Sequence, residues 1–164
     1  MNAQLIKNLK KTVWQDPSYF LAFGFGSGLM PIAPGTWGTL VAIPLYLLIA
    51  HLSLFAYFLV VLAFFILGIQ ICDKVASDLQ VHDYKGIVFD EVVGFLVTMF
   101  AVPFQWIWII GGFLLFRLFD IWKPWIIRKV DKNINGGVGI MLDDILAAIL
   151  ACIVLNSFVW LFGS

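Results

Sequence analysis

Charge is what this chain has least of. Only 12% of its 164 residues are Asp, Glu, Lys or Arg, while 62% are hydrophobic and the mean hydropathy is +1.00. Soluble domains carry about 25% charged residues, and a single small core cannot hide so large an apolar excess. Disordered, fibrous and ordinary soluble enzymes are excluded, which leaves an integral membrane protein. Lysine plus arginine equals aspartate plus glutamate at ten each, so the basic excess that nucleic acid demands is absent. Cysteine is scarce too. Cys72 and Cys152 lie in apolar segments with no CxxC, and read as buried small hydrophobes, not redox or zinc ligands. Histidine is limited to His51 and His82, and no GxSxG is present, so a nucleophile triad finds no support. No internal repeat, low-complexity linker or clear signal-peptide cleavage site is visible, which favours one membrane-embedded domain over residues 1–164.

Among the ten acids, Glu91 is the one glutamate and the other nine are aspartates. Solvated helices favour Glu over Asp, so this bias hints at metal ligation. The charges fall in three clusters: Lys7 to Asp16, Asp73 to Glu91, and Arg117 to Asp144. Apolar stretches lie around them at Trp37–Ala50, Leu52–Cys72, Val92–Val102, Trp106–Phe116 and Ile145–Phe162. A spanning helix needs about 20 apolar residues. The second and fifth stretches approach that, the first is short and contains Pro44, and the third is short unless its helix begins near Gly86. The fold expected is an all-α polytopic bundle of about four or five apolar helical segments. Tight turns at His51–Ser53 and Pro103–Gln105 carry no Lys, Arg, Asp or Glu, so all three charged clusters fall on one side. The positive-inside rule makes that side, and the N-terminus, cytoplasmic. Within residues 1–18, Leu5, Leu9 and Val13 share a helical face, which predicts an amphipathic segment on the membrane surface.

Four constellations carry candidate chemistry. In GFGSGLMPIAPGTWG, residues 24–38, five glycines and two prolines disfavour helix. The Gly35–Thr36 backbone, with Thr36 opening an apolar helix, suits an anion; a re-entrant turn or close helix packing suits the same residues. His82-Asp83 and Asp90-Glu91 form the second constellation, with Asp83 and Asp90 on one face if a helix holds through Gly86. Adjacent carboxylates at a membrane boundary call for a hard cation such as Mg²⁺, or belong to a solvated loop with Lys85 as counter-ion. His82 is either a general base or an ordinary loop histidine. In the third, Arg117, Asp120 and Lys123 are spaced along one helical face, as an ion ladder or as a phosphate grip. In the fourth, a glycine turn at 135–139 delivers Asp143 and Asp144 to the head of the last apolar helix, as caps or as ligands for one or two divalent ions.

Taken in order, GFGSGLMPIAPGTWGTL, the HD…DE stretch at 82–91, FRLFDIWKPWIIR at 116–128 and NGGVGIMLDDILA at 135–147 resemble the bacterial phosphatidylglycerophosphatase A family, from about Phe20 to Leu150. The resemblance implies a Mg²⁺-dependent phosphatase of the bacterial inner membrane. It would hydrolyse phosphatidylglycerophosphate to phosphatidylglycerol and phosphate on the cytoplasmic face. The PSGH and SRxxxxxH elements of type-2 phosphatidic acid phosphatases and the DxDxT of haloacid-dehalogenase phosphatases are absent. On this reading Asp90, Glu91, Asp143 and Asp144 hold Mg²⁺, with Asp83 or Asp120 beside them. Arg117, Lys123 and the Gly35–Thr36 backbone neutralise phosphoryl charge, and an acid or His82 takes a proton from water. A covalent aspartyl-phosphate stays open. The other reading is a small membrane transporter or cation-binding protein, which would place its acids near the bilayer midplane.

Overall fold

The computed structural model describes residues 8–81, 84–123 and 136–162. These are helical, with no strand among the described residues. Two short helices come first, α1 (Leu9–Gln15) and α2 (Pro17–Ala22), then a 3₁₀ turn at Ser27–Leu29. Five apolar helices follow: α3 (Pro34–Ile49), α4 (Leu54–Leu79), α5 (Phe89–Thr98), α6 (Trp106–Trp122) and α7 (Gly136–Phe162). They correspond one for one to the five apolar stretches, but their ends differ.

The differences have local causes. α3 opens at Pro34, because a proline at the first helical position gives up no hydrogen bond, so Gly35 and Thr36 lie inside the helix. It continues through Pro44, which removes one backbone bond without ending the helix. α5 begins at Phe89, so no helix runs back through Gly86, and it stops at Thr98 instead of Val102. α6 ends at Trp122; Lys123 caps it at φ 41, off the helical path of Arg117 and Asp120. α7 begins at Gly136, so the glycines expected in a turn form its first turn and Asp143–Asp144 lie farther inside.

By length and composition α4 and α7 are able to cross a bilayer. α5 is the buried centre: all its residues except Glu91 and Val97 are enclosed. α3 packs on α5, and α7 packs against α4, α5 and α6. Small residues permit this, with Ala147, Ala148 and Ala151 of α7 wholly buried. Three interior polar side chains away from the charged end bond backbone carbonyls. Tyr57 Oη donates to Leu96 O at 2.7 Å, Thr98 Oγ1 to Gly94 O at 3.0 Å, and Asn156 Nδ2 to Phe100 O at 3.2 Å. Large apolar side chains such as Leu48, Phe55, Ile121 and Trp160 cover the outside.

The two turns lie at one end of the bundle, where Phe104 packs against His51 at 5.2 Å and Tyr46 at 6.4 Å between ring centroids. Asp73, Asp90, Glu91, Arg117 and Asp120 sit at the opposite ends of their helices. α1 behaves differently from the surface segment expected. Leu9 and Val13 are buried against the protein, so that face of the stripe is not available to lipid; Leu5 lies outside the described residues. Asp16 fixes the α1–α2 corner, accepting from Lys74 Nζ at 2.9 Å and Ser18 N at 2.8 Å. The Lys74 hydrogen bond above all, helped by the Ser18 N–H, holds its carboxyl below the ordinary range against the opposing effect of desolvation.

α7 meets α4 with no room to spare. A Cβ on Gly137 would stand 2.0 Å from Ile69 O and 2.8 Å from Asp73 N, both backbone atoms. Gly137→Ala is therefore expected to destabilise the detergent-solubilised protein by about 1–3 kcal/mol. Intrinsic tryptophan fluorescence during heating measures this, and an unchanged melting temperature contradicts the packing.

Candidate functional site

Four helices and one loop meet at the charged end. The first turn of α3 brings Gly35, and the first turn of α5 brings Asp90 and Glu91. The C-terminal part of α6 brings Arg117 and Asp120, with Lys123 at its cap, and α7 brings Asp143 and Asp144. Together with Lys85 from the loop before α5, they line one cavity of about 250 Å³. The acidic first turn of α5 is favoured by its own helix dipole.

Burial is severe. Asp90, Asp120, Asp143 and Asp144 are each exposed by 9% or less. The carboxylates divide into two sets. Asp120 accepts a hydrogen bond from Arg117 Nη1, and Asp143 accepts one from Lys123 Nζ. Asp90, Glu91 and Asp144 form the inner set, each offering an oxygen within 4.8 Å of the others. Arg117 Nη1 reaches Glu91 Oε1 at 3.7 Å from the side. No donor reaches Glu91 Oε2 or Asp144 Oδ2, though both are buried. Buried anionic oxygens packed this closely are strongly unfavourable without a cation. An all-carboxylate set, with no thiol or imidazole among the described members, has the chemistry of a hard divalent ion such as Mg²⁺.

Gly35 has a steric role that the sequence does not display. A Cβ there would sit 1.9 Å from Glu91 Oε1 and 3.2 Å from Arg117 Nη1. A side chain at position 35 would therefore force Glu91 and Arg117 out of their present positions. Thr36 departs from expectation: it does not line the cavity, and its N–H donates to Ala33 O at 3.0 Å, so it offers no anion contact. Asp143 also differs from the ligand expected, since it lies outside the inner three and bonds Lys123. His82 and Asp83 lie outside the described residues.

Two residues were missed as contributors. Lys85 lines the cavity although the sequence offered it only as a loop counter-ion; its place five residues before Asp90 was the available signal. Asp73 Oδ1 accepts from Gly137 N at 2.9 Å, tying the α7 N-terminus to α4. Those partners are 64 residues apart, and no local pattern joins them.

The sequence also matches known proteins. A profile of the family described as Phosphatidylglycerophosphatase A matches residues 20–159. The chain is 47% identical to Phosphatidylglycerophosphatase A of Escherichia coli (strain K12) over 137 residues, covering 83% of this chain and 80% of that protein. It is 47% identical over 148 residues to Phosphatidylglycerophosphatase A of Haemophilus influenzae, covering 89% and 91%. A Bacteroides thetaiotaomicron protein provisionally named phosphatidylinositol-3-phosphatase is 40% identical over 148 residues, covering 85% and 92%. No solved structure matches.

Like-charge crowding in the inner set makes a prediction independent of activity. In metal-free buffer, Asp144→Asn removes one buried charge and is expected to raise the melting temperature, by about 2–4 °C for each kcal/mol released. A lower melting temperature than the parent contradicts the crowding.

Proposed function

The chain belongs to the phosphatidylglycerophosphatase A family and is a phosphatase, and from that premise we propose that it hydrolyses phosphatidylglycerophosphate to phosphatidylglycerol and phosphate, with Mg²⁺ as cofactor. The observation that carries the metal reading is the inner carboxylate set, whose buried Glu91 and Asp144 oxygens have no donor. Asp90, Glu91 and Asp144 would hold the ion. When bound, it supplies Lewis-acid neutralisation of phosphoryl charge.

The remaining work belongs to side chains around the cavity. Arg117 and Lys123 present the donors for the phosphoryl oxygens. Asp120 and Asp143 position them through the hydrogen bonds that each accepts, so both cations are ordered before substrate arrives. Water attacks phosphorus, the ester P–O bond breaks, and the departing glycerol oxygen takes up a proton. Asp120, at the cavity wall outside the inner set, is assigned as the acceptor of the water proton; His82 and Asp83 are the other acid–base candidates from the sequence. Gly35, with no side chain, lets the α3 N-terminus approach without filling the cavity.

The setting proposed is the bacterial inner membrane, crossed several times, with the charged end and the N-terminus cytoplasmic. Its support is the apolar exterior, the spanning length of α4 and α7, and the uncharged turns gathered at the other end. In that setting the reaction completes synthesis of an anionic phospholipid. The same cavity joins Asp90 and Glu91 to Arg117, Lys123 and Lys85, cations that a phosphate calls for and a cation-transport site does not, which favours the phosphatase reading over a transporter.

Purified protein in detergent micelles is expected to release phosphate from phosphatidylglycerophosphate in preference to phosphatidylinositol 3-phosphate. A chelator should abolish release and Mg²⁺ restore it. Asp90→Asn and Asp144→Asn should each lower kcat by about 100-fold or more. A folded variant with full activity contradicts the assignment.

A further inference from the structure

A second cavity, of about 630 Å³, adjoins the first and shares Pro34 and Lys85 with it. Its wall includes Lys10 and Lys11 of α1, and no Asp or Glu lines it among the described residues. None of these three lysines forms an ion pair among the described residues. Their ammonium groups therefore create a positive field in a concave space next to the reaction site. We propose that this cavity is a subsite for the phosphodiester of a two-phosphate lipid, with Lys10 and Lys11 of α1 as specificity determinants and Lys85 at the border between the two phosphates.

The inference rests on the phosphatase reading above and extends it. When the phosphomonoester of phosphatidylglycerophosphate lies in the acidic cavity, its phosphodiester lies one glycerol unit away. The neighbouring cavity, which shares Pro34 and Lys85 with the first, offers that second anion cations. Phosphatidic acid, whose monoester sits directly on diacylglycerol, has no such group to place there. α1 is held firmly enough to serve as a wall, since Leu9 and Val13 are buried against the protein. α1 also precedes residue 20, where the family match begins, so this wall is built by a segment outside the matched region. The competing role for these lysines is general attraction to an anionic membrane surface.

The test compares parent, Lys10→Ala/Lys11→Ala and Lys10→Arg/Lys11→Arg in micelles of neutral detergent with phosphatidylglycerophosphate at low mole fraction. The alanine pair is expected to raise KM about tenfold with kcat within about twofold, and the arginine pair to restore KM. Soluble glycerophosphoglycerol, a phosphodiester without tails, should inhibit the parent competitively and the alanine pair about tenfold more weakly. Partial misfolding lowers the apparent kcat and leaves KM unchanged, so it is distinguishable. An unchanged KM in neutral micelles overturns the subsite, as does an effect confined to micelles doped with anionic lipid. A parent inactive on phosphatidylglycerophosphate would instead overturn the phosphatase reading itself.

Discussion

Asp90, Glu91 and Asp144 bury carboxylate oxygens within 4.8 Å of one another at the end of an apolar bundle. Electrostatically this opposes folding, and the surrounding structure is arranged around it. α5 is short and largely enclosed, and its first turn carries Asp90 and Glu91 to the cavity. α7 passes close by, tied to α4 through Asp73, so that Asp144 arrives opposite them. Gly35 suits this place in the first turn of α3 because a Cβ there would strike the Glu91 carboxylate and displace it. Fold and chemistry are thus one problem, in which four helices converge on a charge that none could hold alone.

The cations do not resolve that problem by neutralising the inner acids. Arg117 spends its closest contact on Asp120, and Lys123 on Asp143. Each outer carboxylate restrains a long flexible cation and fixes its direction, as the proposed grip on a phosphate needs. The inner carboxylates keep their demand for a positive ion. A site with ordered cations on one wall and undercompensated acids on another is suited to a divalent ion and a phosphomonoester held together. The second cavity extends the same logic, with cations and no acids on its described walls.

Much of this was legible in the sequence. The five apolar stretches became the five principal helices because long uncharged runs leave few other choices. The uncharged turns identified one end of the bundle, and the scarce charges marked the other. Asp90, Glu91, Arg117, Asp120, Lys123, Asp143, Asp144 and Gly35 all reached a single cavity. Helix ends were less legible. Pro34 and Gly136 each sit inside a helix start where glycine-rich composition suggested loop. Tertiary packing overrode local propensity there, since glycine's missing side chain is needed for close helix approach. Pairing was not legible at all. Nothing in the spacing says that Asp143 bonds Lys123 while Asp144 faces Glu91; neighbouring residues on a helix point in different directions, and only the docked partners decide which matters.

The central claim is that Asp90, Glu91 and Asp144 bind one divalent cation. Electron paramagnetic resonance of Mn²⁺ titrated into metal-free protein, with Mg²⁺ as competitor, tests it without reference to catalysis. The account predicts saturable Mn²⁺ binding that Mg²⁺ displaces, and its loss in Glu91→Gln while an Asp16→Asn control binds as the parent does. Undiminished, Mg²⁺-sensitive Mn²⁺ binding in Glu91→Gln, or none in the parent, would contradict it.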